Sequence, residues 1–362
     1  MRTGTHSSHG AGVLARILFG VYVLLTAYAS LYPLEGWRDP GVSPFAYLAA
    51  SWPRLQYRFD FLVNVAGYLP YGLLCVAALY PRNVGAPAFA AATASGTLLS
   101  ILLEAGQSFL PTRFASNADV LANVLGASLG AAAGLRLAPW LLEHGPFRRV
   151  RAAAFLPGAA TDVGLVLLGL WLFTQLNPTT LLFGTGDLRE LVLVPPGPPR
   201  GPEFFVSIEA VTSAANLAAI ALLLSAMAAP RQSARVLFAA LVAAALSVKA
   251  FTFALMRADA FAWLTPGAQD GLAAGLVIGL AAVSLPRVAL LGLAAVLVMA
   301  ASVLVNLAPP NPYFTASLRV WHQGHFFNFN GLTRLVCAAW PFMALAYVVF
   351  LASRRRREAR PE

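Results

Sequence analysis

Residues 116–137 read SNADVLANVLGASLGAAAGLRL, and this stretch decides the fold. A helix that crosses a bilayer needs roughly 20 mostly apolar residues, and the stretch supplies them after a polar opening at Ser116, Asn117 and Asp119. Ala122, Gly126 and Gly130 recur every four residues, which lays a smooth stripe along one helix face. In lipid, van der Waals contact rather than the hydrophobic effect joins helices, so such a stripe predicts close backbone packing within a bundle.

The rest of the chain has the same character. Of its 362 residues, 59% are hydrophobic and 11% charged, with mean hydropathy +0.70, against roughly 25% charged in soluble domains. A soluble enzyme is excluded, as is a collagen-like or disulfide-framed chain. Cys75 and Cys337 both sit in apolar runs and read as small hydrophobes rather than redox or metal groups. The expected fold is all-α: a polytopic transmembrane helix bundle with about ten spans, near residues 13–33, 60–80, 86–110, 117–137, 161–183, 204–229, 233–256, 267–285, 288–308 and 332–352. The first span resembles a signal peptide, but no A-x-A-like cleavage site followed by a soluble domain is present, which predicts a retained helix.

The formal charge of +10 follows topology rather than a nucleic-acid partner, which is not expected. Arginines cluster between apolar spans, and placing both termini in the cytoplasm puts fifteen of the 24 on the inner side. Abundant Ala, Gly, Pro and Arg with a single lysine, Lys249, fits a GC-rich bacterial coding bias, so the expected location is a bacterial cell membrane, multi-pass.

An internal repeat is visible at an offset of 149: Ser116, Gly126 and Gly130 are matched by Thr265, Gly275 and Gly279. Each repeat would hold four spans in the same orientation, giving two parallel four-helix repeats plus two extra C-terminal helices. The domain expectation is a first membrane domain over 1–140, a basic cytoplasmic linker over 141–160 and a second membrane half over 161–362.

Polar residues that lipid would exclude concentrate in the first half. Asp60 and Asn64 open the second span one turn apart, Glu104 and Gln107 close the third, Arg113 lies in the following loop, and Asp119 and Asn123 open the fourth. Three helices thus bring three carboxylates, three carboxamides and a guanidinium to one level. Ionisable groups in a span cost about 2.5 to 3.5 kcal/mol on insertion scales, which makes them site candidates. Asp119 also fits a capping box with Ser116, and Asp60 and Asp119 both suit the positive end of a helix dipole. Glu104 sits at a helix C-terminus, where negative charge is disfavoured, and calls for a cation such as Arg113.

The ordered set Asp60-Phe-Leu-Val-Asn64, Pro70-Tyr-Gly72, Glu104-Ala-Gly-Gln107, Arg113, Asp119 and Asn123-Val-Leu-Gly126-Ala-Ser-Leu-Gly130 resembles the VanZ-like family over about residues 13–137, with Tyr28, Pro33 and Trp37 fitting its first helix. The resemblance implies a bacterial integral membrane domain of four or five helices, in a family named for a teicoplanin-resistance protein. The longer chain here departs from the minimal family domain.

Three functions follow as expectations. In the first, Glu104 or Asp119 acts as general acid or base, Arg113 holds an anionic envelope lipid or cell-wall precursor, and Asp60, Asn64, Gln107 and Asn123 orient the ligand. The others are a transporter and a non-catalytic scaffold. No cofactor is expected and no metal, because His322 and His325 lack a third ligand nearby. Lys249 would either bridge to Glu104 or snorkel to the membrane surface, with Glu209 and Asn216 as further partners. The aromatic segment 313–334 reads as an interfacial re-entrant or surface helix, and Pro195–Pro202 as a stiff spacer. A reporter fused after Arg357 is expected to be active only in the cytoplasm; extracytoplasmic activity reverses the assigned topology.

Overall fold

The structure, a computed structural model, describes residues 6–52, 58–189, 200–229, 231–255, 259–309, 311 and 327–358. These residues are helical and loop, with a single isolated bridge between Phe155 and Ala228 and no named strand among them. The helices are α1 (His6–Leu31), α2 (Arg58–Leu79), α3 (Ala86–Gln107), α4 (Asn117–Pro139), α5 (Pro146–Ala154), α6 (Ala159–Thr174), α7 (Pro202–Met227), α8 (Arg231–Leu255), α9 (Pro266–Ala282), α10 (Arg287–Leu307) and α11 (Phe327–Glu358). They form two compact units, Met1–Ala152 and Ala153–Glu362.

The fold is a polytopic helical bundle. Among the described residues, eight helical stretches are long and apolar enough to cross a membrane, where the sequence suggested about ten spans. The difference lies in the fifth and eighth expected spans. α6 stops at Thr174 after 16 residues instead of reaching residue 183, and α9 has 17 residues. The Asn177-Pro178 pair accounts for the first of these. Proline disfavours the helical region for the residue before it and supplies no N–H of its own.

In the first unit, α2 and α4 form the closest pair. A Cβ added at Gly72 would fall on the Ala127 carbonyl, one at Gly126 on the Val65 carbonyl and one at Gly130 on the Leu69 carbonyl, so the two backbones touch. Ser116 caps α4 from an extended conformation, its Oγ accepting from the Ala118 N–H at 3.2 Å. Leu24, Leu62, Leu98 and Leu129 are exposed on the outside of these helices, as lipid-facing positions should be.

The second unit is built around α7, which is buried along most of its length, as expected of a helix enclosed by others. α9 packs on it through Gly271, Gly275 and Gly279, and α10 packs on another side. Thr265 caps α9, accepting from the Ala268 N–H at 3.1 Å, at the position 149 residues beyond the Ser116 cap.

Between α6 and α7 lies a buried, non-helical segment, 175–188. Irregular backbone at membrane depth needs internal partners, and side chains of this unit supply them. Lys249, fully buried, donates from Nζ to the carbonyls of Asn177 (2.7 Å) and Thr180 (2.9 Å). Ser213 donates to the Leu182 carbonyl, Asn306 bridges Gly186 and Leu188, and Asn216 accepts from Thr185. Lys249 therefore does not snorkel; it pins this segment within its own unit. Glu209 faces Thr265 and lies within electrostatic reach of Lys249, while Asn216 holds the segment rather than Lys249. The second half is accordingly not stripped of polar groups; it uses them on its own backbone.

Replacing Gly130 with leucine is expected to destabilise the protein by about 3 kcal/mol or to prevent its accumulation, since backbone rather than a mobile side chain blocks the new atoms. Gly20→Ala, where nothing lies nearby, serves as the neutral control. Thermal unfolding in detergent reads both.

Candidate functional site

The α2–α4 contact sets the first-unit polar residues face to face. Asp60 and Asn64 from α2 lie against Asp119 from α4, with the Asn64 side chain directed at the Asp119 carboxylate and Asp60 within electrostatic reach. All three are half-buried. From α3, Glu104 comes to the same end and is only 4% exposed. One of its oxygens, Oε2, accepts the Ser116 N–H at 2.8 Å, so the carboxylate satisfies a donor at the start of α4. Asp119 and Arg113 both act on Glu104 through space.

One turn deeper the polar face continues. Asn123 donates from Nδ2 to Ser100 Oγ at 2.9 Å, and the Tyr68 hydroxyl lies beside Ser100. Among the described residues, Asn123 Oδ1 and the Tyr68 hydroxyl are buried without a close hydrogen-bond partner. Buried polar atoms of this kind point to ordered water or a ligand group reaching down from above. Tyr68 follows Asn64 by four residues and Ser100 precedes Glu104 by four, so the spacing rule that finds the outer layer would also have found this one. Of this layer, sequence reasoning found Asn123 but not Tyr68 or Ser100.

Arg113 and Gln107 have other work. The Arg113 guanidinium donates to the Tyr32 carbonyl from Nε (3.0 Å) and Nη2 (2.6 Å), and to the Ala29 carbonyl (3.3 Å). Gln107 donates to the Ser30 carbonyl at 2.9 Å. Together they cap the C-terminal end of α1, where carbonyls lack helical partners and a cation suits the dipole. Burial lowers the Arg113 pKa from its ordinary value, and the nearby Glu104 charge opposes that shift.

Residues 46–50, between α1 and α2, lie against this end. Tyr47, on the short helical turn Ala46–Ala49, donates its hydroxyl to the Ile101 carbonyl at 3.0 Å, and Asn117 donates to the Ala50 carbonyl at 2.8 Å. Nothing in the sequence marked Tyr47. Around this end, Trp37, Phe45, Trp52, Phe59 and Phe114 are exposed, an aromatic rim of the kind found at headgroup level.

Among the described residues no group of three or more His, Cys, Asp and Glu side chains is placed to hold a metal ion. The aromatic segment 313–334 lies mostly outside the described residues; what is described of it, from Phe327, is the start of α11. Residues 195–199 of the proline-rich stretch also lie outside them.

Helices long and apolar enough to cross a bilayer, in both units, make this a polytopic membrane protein. Within it, residues 15–138 match the VanZ/LLP1 family model, so the segment from α1 to α4, which carries the polar cluster, is VanZ-like. No curated protein and no solved structure matches the chain.

Arg113→Gln and Gln107→Leu should each lower thermal stability by about 1 to 3 kcal/mol through loss of the α1 cap, with or without any ligand present. Unchanged melting in both would remove the capping role.

Proposed function

We propose that the VanZ-like segment binds the headgroup of an envelope lipid at the membrane surface where α3 and α4 meet. The observation that carries this reading is Glu104: a carboxylate 4% exposed, at the end of its helix where negative charge is disfavoured, beside Asp119 and above a buried polar layer with unanswered atoms. A hydrogen-bond donor on the ligand, such as a sugar or glycerol hydroxyl, answers the carboxylates Glu104, Asp119 and Asp60. Asn64 and Asn123 orient it, and Gln107 completes the rim.

Arg113 fits the anionic part. Its charge stands beside the carboxylates in the loop 108–116, and a lipid phosphate placed there would sit at headgroup level, inside the aromatic rim of Trp37, Trp52 and Phe114. The arginine distribution supports an extracytoplasmic setting for this end of the first unit. A cell-wall precursor, which is a phosphate-bearing lipid rich in hydroxyls, has the same two chemical features. If a reaction takes place, Glu104 or Asp119 is the general acid or base, since each lies where a hydroxyl proton would be received.

Phosphatidylglycerol, with a phosphate and free hydroxyls, serves as probe against phosphatidylcholine, whose headgroup has no donor. Lipid retention by the purified protein, followed by native mass spectrometry, should favour phosphatidylglycerol. Glu104→Gln and Asp119→Asn should each weaken that preference by about tenfold or more while leaving thermal stability equal or higher. Full retention in both variants overturns the site, and loss of stability without loss of preference makes the cluster a scaffold.

A further inference from the structure

The opposite end of the first unit carries a second feature, on which the headgroup reading does not depend. α4 has 23 residues, which at about 1.5 Å per residue is close to 35 Å and already fills the hydrocarbon layer. The helical run nevertheless continues, 38 residues in all to Ala154, too long for one crossing and charged in its last part. It breaks at a π-helical turn, Trp140–His144, and at Gly145, whose backbone is extended (φ −76°, ψ 168°). α5 therefore begins beyond the end of α4, as a separate short helix within the basic cytoplasmic linker expected over 141–160.

The sequence of α5, PFRRVRAAA, has an amphipathic layout. Phe147, Val150 and Ala153 recur every three residues along one exposed stripe; Phe147 is 47% and Val150 52% exposed. Arg149 flanks the stripe on one side, Arg148 and Arg151 on the other. Trp140, exposed at the break, stands where aromatic anchors stand in membrane proteins. Exposed apolar residues framed by arginines suit an anionic leaflet: the rings and the valine enter the acyl boundary while the guanidinium groups reach phosphates. Charge complementarity selects the occupant, because Arg16, Arg82 and Arg136 lie at the same end of the unit as the three arginines of α5.

We infer that α5, with Trp140, is an in-plane anchor that recognises anionic phospholipid on the leaflet opposite the Glu104 cluster. A reporter at the helix itself tests this apart from any lipid held at the other end. Cys75 and Cys337 are buried, so a spin label on Val150→Cys in the full chain reports from α5 alone. In nanodiscs containing phosphatidylglycerol the label is expected at headgroup depth, its accessibility to a water-soluble nickel chelate several-fold below that in pure phosphatidylcholine, and high salt should reverse the difference. Replacing Arg148, Arg149 and Arg151 with glutamine should weaken the lipid dependence by about tenfold or more. Arg149→Gln alone should weaken it in part, which keeps the test open if the triple variant does not fold. Glu104→Gln should leave the response intact even if it abolishes headgroup binding. Equal accessibility in the two lipids, a fully aqueous label, or an unchanged response without the arginines would each overturn the proposal.

Discussion

Everything at the polar end of the first unit depends on how closely α2 and α4 approach. Gly72, Gly126 and Gly130 remove the side chains that would hold the backbones apart, and carbonyl groups of one helix occupy the space where Cβ atoms of the other would stand. Lipid offers no hydrophobic drive for helix association, so this contact area is the force that joins them. It also sets register: with these glycines in place, Asn64 comes to face Asp119, and the same faces continue to Tyr68 and Asn123.

A second constraint governs the parts that are not helical. Backbone polar groups in or near lipid must find partners inside the protein, and each unit answers with side chains that a reader of the sequence would assign to function. Gln107 and Arg113 close the end of α1. Lys249, Asn306 and Ser213 hold the buried segment between α6 and α7. Thus a buried charge in a membrane protein marks either a ligand site or an exposed stretch of backbone that needs it, and geometry separates the two. Glu104 shares both characters: Oε2 is committed to the Ser116 N–H, while the carboxylate remains close to Asp119.

The first unit is electrically bipolar. Carboxylates gather where α3 meets α4, and arginines gather where α4 leaves the membrane and α5 begins. This arrangement agrees with the positive-inside rule expected from the arginine distribution. The two proposed contacts, a headgroup at Glu104 and an anionic leaflet at α5, therefore call on different chemistry at different ends.

The helical class, the membrane setting and the VanZ-like segment were legible in the chain itself, because hydropathy and glycine spacing are local properties that survive without a partner. So were the pairs Asp60 with Asn64 and Asp119 with Asn123, each on one helix face, although Asn123 lies a turn deeper than the outer residues. Tertiary structure decided what each polar group does. It turned Arg113 and Gln107 toward α1, drew Lys249 onto a broken stretch that the sequence read as part of a span, added Tyr47, Tyr68 and Ser100 around Glu104, and formed a short helix within the basic linker. The reason is that hydrogen-bond partners come from residues far apart in the chain: Arg113 meets Tyr32, and Lys249 meets Asn177. Periodicity predicts which face a side chain shares, but only the packed backbone determines what stands opposite it.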